Sequence, residues 1–305
     1  MRTAFIETLK ELAGQDERIW LLCADLGFSV LETFAQSFPK RYINVGVAEQ
    51  NMTGMAAGLA LSGKIVFTYS IANFPVVRCL EQIRDDVCAH NLNVKVVSVG
   101  GGFAYGSAGY THHGTEDLAM MRVLPNMTVL APGDPIEARL LTKAAIERPG
   151  PCYLRLGKAG EPIVHTSQPD ITIGKAIVLR EGDAGTLIST GGALAMTVKA
   201  ADELAAQGIF VSVLSMPSLA PLDEDAILRA AETTGRIVTV ENHGIGGLGS
   251  AVAEVLAQST LHPRFAPIYL QATPMKVSGS EASMYAKHNL SAAEIASKMM
   301  SLTSS

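Results

Sequence analysis

The sequence predicts an α/β protein with two domains, each built on a mostly parallel sheet, and three observations lead to this fold class. A chain of 305 residues is longer than one hydrophobic core usually organises. Short β-rich runs alternate with stretches of 3.6-residue periodicity, which is the pattern of βα units. The alternation lapses between residues 157 and 174 and then restarts, so we expect a linker between two α/β units.

The first predicted domain spans residues 1–160. Its strand candidates are IWLLCAD (19–25), KIVFTYS (64–70), VKVVSVGGG (94–102), MTVLAPGD (127–134) and CYLRL (152–156). Helical periodicity covers residues 3–13, 49–61, 77–90 and 135–147. Because helix candidates alternate with the strands, we expect helices on both faces of a parallel sheet.

The linker is predicted at residues 161–175, and the second, smaller α/β domain at 176–305. Its strand candidates are AGTLIST (184–190), FVSVLSM (210–216), RIVTVEN (236–242) and FAPIYLQA (265–272). Helix candidates lie near residues 193–207, 223–234 and 248–258. Within it, GIGGLG (244–249) has the look of a dinucleotide loop, but no acidic residue completes that fingerprint, so we expect a plain turn.

Composition and charge exclude several classes of protein. The chain is 48% hydrophobic and 17% charged, with a net charge of -5, so it offers no broad basic surface for nucleic acid. The four cysteines form no Cys-x-x-Cys pair, which predicts neither disulfides nor zinc and fits a reducing cytoplasm. With no signal peptide and no apolar window of about 18 residues, we expect a cytoplasmic protein that neither enters nor crosses a membrane.

An acid stands out in the run NVGVAEQNMTGMAAGLALSG (44–63), which is otherwise small and apolar. Glu49 falls in the predicted first helical turn, where the helix dipole favours a carboxylate. The helix has almost no polar face, and Gly54 and Gly58 leave one side smooth, so we expect it to be buried all round at a subunit contact. Burial there would favour the protonated form of Glu49 and suit it to proton transfer.

The segment RYINVGVAEQNMTGMAAGLALSG (41–63) resembles the pyrimidine-binding domain of the transketolase family, thiamine-diphosphate enzymes that include deoxyxylulose-phosphate synthase. The resemblance implies that Glu49 is catalytic. In the family, the matching glutamate hydrogen-bonds the aminopyrimidine ring and drives it to the imino tautomer, whose nitrogen takes the proton from the thiazolium carbon. The cofactor supplies the remaining organic chemistry.

The same resemblance implies residues that bind cofactor and substrate phosphate. LLCADLGFS places Asp25 near the thiazolium side of the cofactor and Ser29 at a substrate phosphate. Arg2 and Arg155 match family arginines, and a guanidinium suits phosphate because its fork makes paired, charge-assisted hydrogen bonds. A solvated charge or a structural ion pair is the alternative for either arginine.

Tyr69 or Phe74, in FTYSIANFPVVRCLEQIR (67–84), would stack on the aminopyrimidine, and the spacing leaves the choice open. A second matching segment, GSAGYTH (106–112), implies that His112 lies beside the substrate hydroxyls and assists proton transfer. Ala108 stands where transketolases have an aspartate that contacts the donor sugar, and Gly100 where they have a histidine. The usual pentose phosphate substrates are therefore in doubt, because such contacts discriminate strongly.

The resemblance covers the last two of the family's three domains. The family holds the diphosphate and its Mg²⁺ through a Gly-Asp-Gly segment of a preceding domain, and this sequence has no such segment. We therefore expect no metal ligands in this chain and a large partner subunit that carries the diphosphate domain, typically as a two-plus-two assembly.

The resulting expectation is the small subunit of a split transketolase, which moves a two-carbon ketol unit from a ketose, expected to be phosphorylated, to an aldose through thiamine diphosphate. Two related enzymes are alternatives, the beta subunit of a 2-oxo acid dehydrogenase and a deoxyxylulose-phosphate synthase-like enzyme. A catalytically idle scaffold or regulatory partner is the alternative of another class. A retained Glu49 argues against the idle protein, because burying an acid against an apolar helix is costly.

Overall fold

A computed structural model describes residues 1–271 and 278–303 of the chain. The strands of the first domain are β1 Ile19–Cys23, β2 Tyr42–Asn44, β3 Ile65–Ile71, β4 Val94–Val99, β5 Thr128–Leu130 and β6 Cys152–Leu156. Its helices are α1 Arg2–Ala13, α2 Glu32–Ser37, α3 Glu49–Leu61, the short α4 Leu80–Gln82 with a π-helical turn Ile83–Cys88, α5 Asp117–Arg122 and α6 Pro135–Glu147. Two 3-10 turns, Gly106–Ala108 and Tyr110–His112, lie in the loop after β4.

The second domain follows an irregular segment. Its strands are β7 Ile177–Arg180, β8 Thr186–Thr190, β9 Ser212–Ser215, β10 Ser218–Ala220, β11 Arg236–Glu241 and β12 Arg264–Ile268. Its helices are α7 Leu194–Ala205, preceded by a 3-10 turn Gly191–Ala193, α8 Glu224–Thr234, α9 Leu248–Ala257, α10 Glu281–Lys287 and α11 Ala292–Thr303. The predicted α/β class with two mostly parallel sheets is confirmed.

The two domains share a sheet. The first sheet has the strand order β10-β5-β6-β4-β3-β1-β2, in which β1 to β6 pair in parallel. The edge strand β10 comes from the second domain and pairs antiparallel with β5, with Ser218 opposite Leu130. The second sheet has the order β12-β11-β8-β9-β7, parallel except for β7 on β9. Backbone hydrogen bonds therefore tie the second domain to the first.

The elements that the sequence did not predict include the short strands β2, β7 and β10, the short helices α2, α5 and α10, and the 12-residue helix α11. The three-residue strands β2 and β10 are too brief to show an alternating pattern. The helix predicted over 77–90 is a short α-helix that continues as a π-helical turn. The strand predicted over 265–272 ends at Ile268, and its last predicted residue, Ala272, lies outside the described residues.

All four cysteines are free and buried. In the described part of the chain, none of the helices has the length and apolar character needed to cross a lipid bilayer.

Candidate active site

The carboxyl ends of neighbouring strands gather four of the predicted site residues at one edge of the first sheet. Asp25 follows β1, Glu49 follows β2, Phe74 follows β3 and His112 follows β4. These four strands are adjacent in the order β4-β3-β1-β2. In parallel sheets, ligands bind in the crevice outside this edge. The topology thus places residues that are far apart in sequence along one crevice.

Glu49 begins helix α3, as its position in the sequence predicted. Its side chain is 1% exposed, and its carboxylate Oε2 accepts a hydrogen bond of 2.5 Å from Nη1 of Arg78. The Arg78 side chain is 45% exposed, so the ion pair joins a buried acid to a residue at the surface. Glu49 is buried, as the sequence predicted, and the structure adds a cationic partner that the sequence did not reveal.

Arg78 also connects Glu49 to the other predicted catalytic residue. Its guanidinium carbon lies 4.9 Å from the ring centre of Phe74, a cation-π contact. The Phe74 ring in turn meets the His112 ring edge to face, with centres 5.2 Å apart. The structure therefore brings Glu49, Phe74 and His112 together through Arg78. Sequence reasoning missed Arg78, which stands 29 positions from Glu49 and gave no local signal.

Within the single chain, helix α3 is buried on one face only, and burial of its other face at a subunit contact stays a prediction. One face packs inward through Met52, Thr53, Ala56 and Ala57. The opposite face is an exposed stripe, the α3 stripe, formed by Gln50, Asn51, Gly54, Met55, Gly58 and Leu61. Added β-carbons at Gly54 and Gly58 would meet nothing within 4 Å. A second backbone can therefore approach the helix closely beside Glu49.

The loop after β1 holds Asp25 and Ser29 in a backbone conformation that such residues seldom adopt. Their φ angles are 53° and 62°, in the left-handed region. The backbone N–H of Asp25 donates to the Asn44 side chain at 3.0 Å, and that of Ser29 donates to Glu32 at 2.7 Å. Strained backbone of this kind clusters at ligand sites. Both side chains are exposed on the loop, and their predicted roles stay predictions.

The two aromatic candidates for stacking occupy different environments. Tyr69 is buried under α1, where its ring stacks on Phe5 with centres 6.0 Å apart. Burial raises the pKa of the Tyr69 hydroxyl well above its ordinary value. Phe74 is half-buried and lies beside Arg78 and His112. The structure thus places Phe74 in the crevice and Tyr69 in the core, and the choice between them as the stacking ring stays a prediction.

A small cavity of about 180 Å³ lies near the N-terminus, lined by Arg2, Tyr69 and Tyr105 together with residues 26–28 of the Asp25 loop. Over the Tyr105 ring stands Nζ of Lys158, 4.8 Å from the ring centre. Arg2 and Lys158 thus bring two cations to Tyr105, and Ser29 follows directly on the cavity-lining loop. Lys158 was missed, although its position just after the end of β6 is a signal that could have revealed it.

Arg155 is not brought to that cavity. It is 3% exposed in β6, and its guanidinium donates to Asp117, to Asn242 and to the backbone oxygen of Gly114, at 2.7–3.0 Å. Its role in binding a substrate phosphate stays a prediction. This environment favours the alternative, a structural ion pair at the contact between the two domains.

The departures from the family pattern have a structural counterpart. Gly100 has a φ of 94°, and a side chain there would collide with the ring of Tyr105. The ring therefore occupies the space that a side chain at position 100 would enter. Ala108 is exposed on the 3-10 turn before His112.

The glycine-rich turn 244–249 offers no room for a nucleotide phosphate at the start of α9. The Glu241 carboxylate already accepts hydrogen bonds from the backbone N–H groups of Leu248 at 2.7 Å and Gly249 at 2.8 Å. A phosphate bound there would have to displace this side chain. Within residues 1–271 and 278–303, no cluster of three or more acidic, histidine or cysteine side chains is arranged to hold a metal ion.

The sequence matches two known family domains in order. Residues 1–160 match "Transketolase, pyrimidine binding domain" and residues 174–295 match "Transketolase, C-terminal domain". A relative from Phocaeicola vulgatus, one of the subunits of an apulose-4-phosphate transketolase, is 41% identical over 86% of this chain and 85% of its own length. A 6-deoxy-6-sulfo-D-fructose transketolase subunit from Clostridium sp. is 42% identical over 85% of this chain and 81% of its own.

A solved structure shares the fold over nearly the whole chain. It is described as a split gene transketolase, inactive beta4 tetramer, and superposes with a TM-score of 0.89 at 38% identity, covering 99% of this chain and 97% of that one. The two domain matches, the two relatives and this structure agree with the crevice geometry, and the chain belongs to the transketolase family.

Proposed function

We propose that this chain is the small subunit of a split, thiamine-diphosphate-dependent transketolase, which transfers a two-carbon ketol unit from a ketose to an aldose acceptor. The observation that carries the proposal is the placement of Glu49. A buried carboxylate stands at the start of a helix whose outer face is smooth and exposed, and Arg78 links it to Phe74, whose ring contacts His112.

The residues of the crevice fit the pyrimidine half of the cofactor. Glu49 would hold a proton at Oε1 against a ring nitrogen of the aminopyrimidine, since Arg78 already binds Oε2. Phe74 would stack on the ring, Asp25 would lie toward the thiazolium side, and His112 would face the substrate hydroxyls. When bound, thiamine diphosphate supplies the electron sink for breaking and forming the carbon-carbon bond.

The diphosphate and its Mg²⁺ would be held by a large partner subunit. In support, relatives that match this chain over most of their own length are named as transketolase subunits. The α3 stripe is the surface that we assign to this partner, because its glycines admit a close backbone and it borders Glu49. We propose an assembly of two small and two large subunits.

The donor is proposed to be a ketose that carries a terminal phosphate or a similar anion. Arg2 and Lys158 converge on Tyr105, and the Ser29 loop borders the same cavity. Charge-assisted hydrogen bonds from these cations would orient the anion and, with it, the reacting end of the sugar.

Copurification tests the proposal. The tagged chain is purified from its host, its partners are identified, and the complex is assayed for bound thiamine diphosphate and for ketol transfer from a set of ketose phosphates. We expect a second chain with Gly-Asp-Gly, bound cofactor and turnover. Recovery of the chain alone, with neither cofactor nor turnover on addition of thiamine diphosphate and Mg²⁺, would favour a scaffold protein instead.

A further inference from the structure

We infer that the second domain positions His112, and that Arg155 and Asn242 are the positioning residues that do so. The inference rests on the proposed function for the role of His112 and goes beyond it in assigning a task to the second domain. It also gives Arg155 a role other than binding phosphate.

The loop that carries His112 is closed at its base. Gly102 and Gly114 exchange two backbone hydrogen bonds, of 2.7 and 3.0 Å, which define the loop base. His112 therefore sits on a loop whose orientation depends on what holds this pair of glycines. Its own side chain makes a contact of 3.0 Å with the neighbouring Thr111 and an edge contact with Phe74.

Arg155 holds the loop base. Its Nη2 donates to the backbone oxygen of Gly114 at 2.7 Å, two residues beyond His112. A side chain at Gly101 would collide with this guanidinium, so a glycine at that position lets the arginine reach the loop. Asp117 accepts from Nε at 2.8 Å and fixes the other edge of the guanidinium. The fully buried fork thus has little freedom to turn.

The second domain supplies the remaining partners of the fork. Asn242, just after β11, accepts from Nη1 at its side-chain oxygen, at 2.7 Å, and from Nη2 at its backbone oxygen, at 3.0 Å. Gly244 donates its N–H to the backbone oxygen of Thr115 at 2.8 Å, so the 242–244 segment runs beside the loop base. A chain of hydrogen bonds leads from β11 through Arg155 to the base of the His112 loop.

A third contact from the second domain reaches the same loop. The ring of Phe103, inside the loop, lies 5.4 Å from that of Tyr285 of α10, and the Tyr285 hydroxyl accepts from the Asn242 side chain at 3.0 Å. The loop therefore lies between the crevice and the second domain. Displacements near 1 Å are enough to impair proton transfer, so this support has catalytic consequences.

The test uses Asn242→Ala, which removes the side-chain acceptor and leaves the Arg155–Asp117 pair intact. In the full-length chain, backbone hydrogen exchange should rise in peptides covering 103–116 and stay unchanged in peptides covering β1 and β3. In the complex with the large subunit, turnover should fall about ten- to a hundred-fold. Exchange of the thiazolium proton of bound thiamine diphosphate, which depends on Glu49, should keep its rate.

A double-mutant cycle then separates positioning from general destabilisation. Because Asn242 acts through His112, adding Asn242→Ala to His112→Ala should cause no further loss of turnover. Gln258→Ala, an exposed amide of the second domain that bonds to the backbone of Glu254, is the matched control and should change none of these readouts.

Unchanged exchange in 103–116, or losses of turnover that add in the double variant, would overturn the inference. A wild-type complex that binds the cofactor but transfers no ketol unit would instead refute the proposed function, and the hydrogen-exchange result would still decide whether the second domain holds the loop.

Discussion

Two buried glutamates, one in each domain, stand beside the start of a glycine-containing helix, and each is 1% exposed. Glu241 is closed off, because two backbone N–H groups at the start of α9 donate to both of its carboxylate oxygens. Among the described residues, Glu49 has one hydrogen-bond partner for its carboxylate, the half-exposed Arg78. Burial alone therefore does not identify a functional acid.

What distinguishes the two acids is whether fixed backbone groups satisfy the carboxylate. A carboxylate whose two oxygens accept from backbone amides of its own domain has little hydrogen-bonding capacity left for a ligand. A carboxylate that pairs with one surface side chain, next to an exposed helix face, keeps an oxygen that can bind a ligand. The same contrast applies to two cations. Acceptors from both domains hold Arg155 inside the domain contact, whereas Lys158 lies at the crevice edge over the ring of Tyr105.

The largest expected effect concerns Glu49 itself. Glu49→Ala should lower the turnover of the complex about a thousand-fold or more, because it removes the group that positions a proton on the cofactor. Assembly with the large subunit should persist, since the α3 stripe is untouched, and size-exclusion chromatography checks this. Glu241→Gln is the comparator and should retain most of the turnover. Equal losses in the two variants would remove the distinction between them.

The next effect concerns how stability depends on pH around Glu241, whose carboxylate lies 3.9 Å from the ring of the buried His243. Burial lowers the pKa of His243 to about 4, so the stability this neutral histidine contributes is present above its ordinary value of 6.5 and lost as pH falls. Burial raises the pKa of Glu241 to about 7, so its contribution is present below its ordinary value of 4.5 and lost as pH rises. Between pH 4.5 and 6.5 the two contributions change in opposite directions: as the pH rises, the Glu241 contribution falls and the His243 contribution grows.

The Glu241→Gln variant lacks the opposing contribution of Glu241, so the pH dependence caused by His243 should become visible. The free energy of unfolding of this variant should fall by roughly 3 kcal/mol as the pH drops from the ordinary histidine pKa of 6.5 toward 4, while that of the wild-type chain should change less. Urea unfolding across this range measures the slope, and Asp117, 3.7 Å from His243, is present in both chains. Glu232→Gln on the exposed face of α8 serves as control. If the free energy of unfolding of the variant depended on pH as weakly as that of the wild type, the histidine would not titrate in this way.

A smaller effect tests Lys158, the cation at the crevice edge. Lys158→Gln should lower kcat/KM for a ketose phosphate about thirty-fold, because a charged hydrogen bond to the phosphate is lost. This corresponds to about 2 kcal/mol of transition-state stabilisation. The value for the unphosphorylated ketose should stay unchanged, since the residue does not touch the reacting carbons. Lys143→Gln, an exposed lysine of α6, is the control. Equal losses of kcat/KM for the phosphorylated and the unphosphorylated ketose would contradict the proposal that Lys158 binds the phosphate.

The smallest effect tests how firmly Glu49 is held. Arg78→Gln should lower the free energy of unfolding by about 1 kcal/mol, because the ion pair is partly exposed and screened by solvent. In a Glu49→Gln background the same substitution should cost almost nothing, which urea unfolding of the four chains measures as a coupling energy. Arg84→Gln, in an exposed pair with Asp85, is the matched control. Independent effects at the two positions would contradict the pairing.

Much of the fold could be predicted from the sequence, because long elements carry their own periodicity. Helix α3 spans Glu49–Leu61, as its acid start and its run of small residues predicted. The strand β10 could not be predicted, because three residues show no alternation and its partner β5 lies in the other domain.

The site was partly predictable for a similar reason. The motifs predicted Glu49 and His112, which the fold brings to one crevice, but Arg78 reaches Glu49 only through the fold. Arg155 lies inside the apolar run of β6, which is a sign of burial, whereas Lys158 follows the strand end, where ligands are met. Burial of a cation in an apolar strand depends on partners such as Asp117 and Asn242, which the local sequence does not reveal.

The most direct test of the contrast between the open and the closed acid is the exchange rate of the thiazolium proton of thiamine diphosphate bound to the complex. Proton NMR after quenching in acid would compare the wild type, Glu49→Gln and Glu241→Gln at equal cofactor occupancy. We predict that exchange is lost in Glu49→Gln and stays at the wild-type rate in Glu241→Gln. Wild-type exchange in Glu49→Gln would contradict the assignment of Glu49 as the acid that acts on the cofactor.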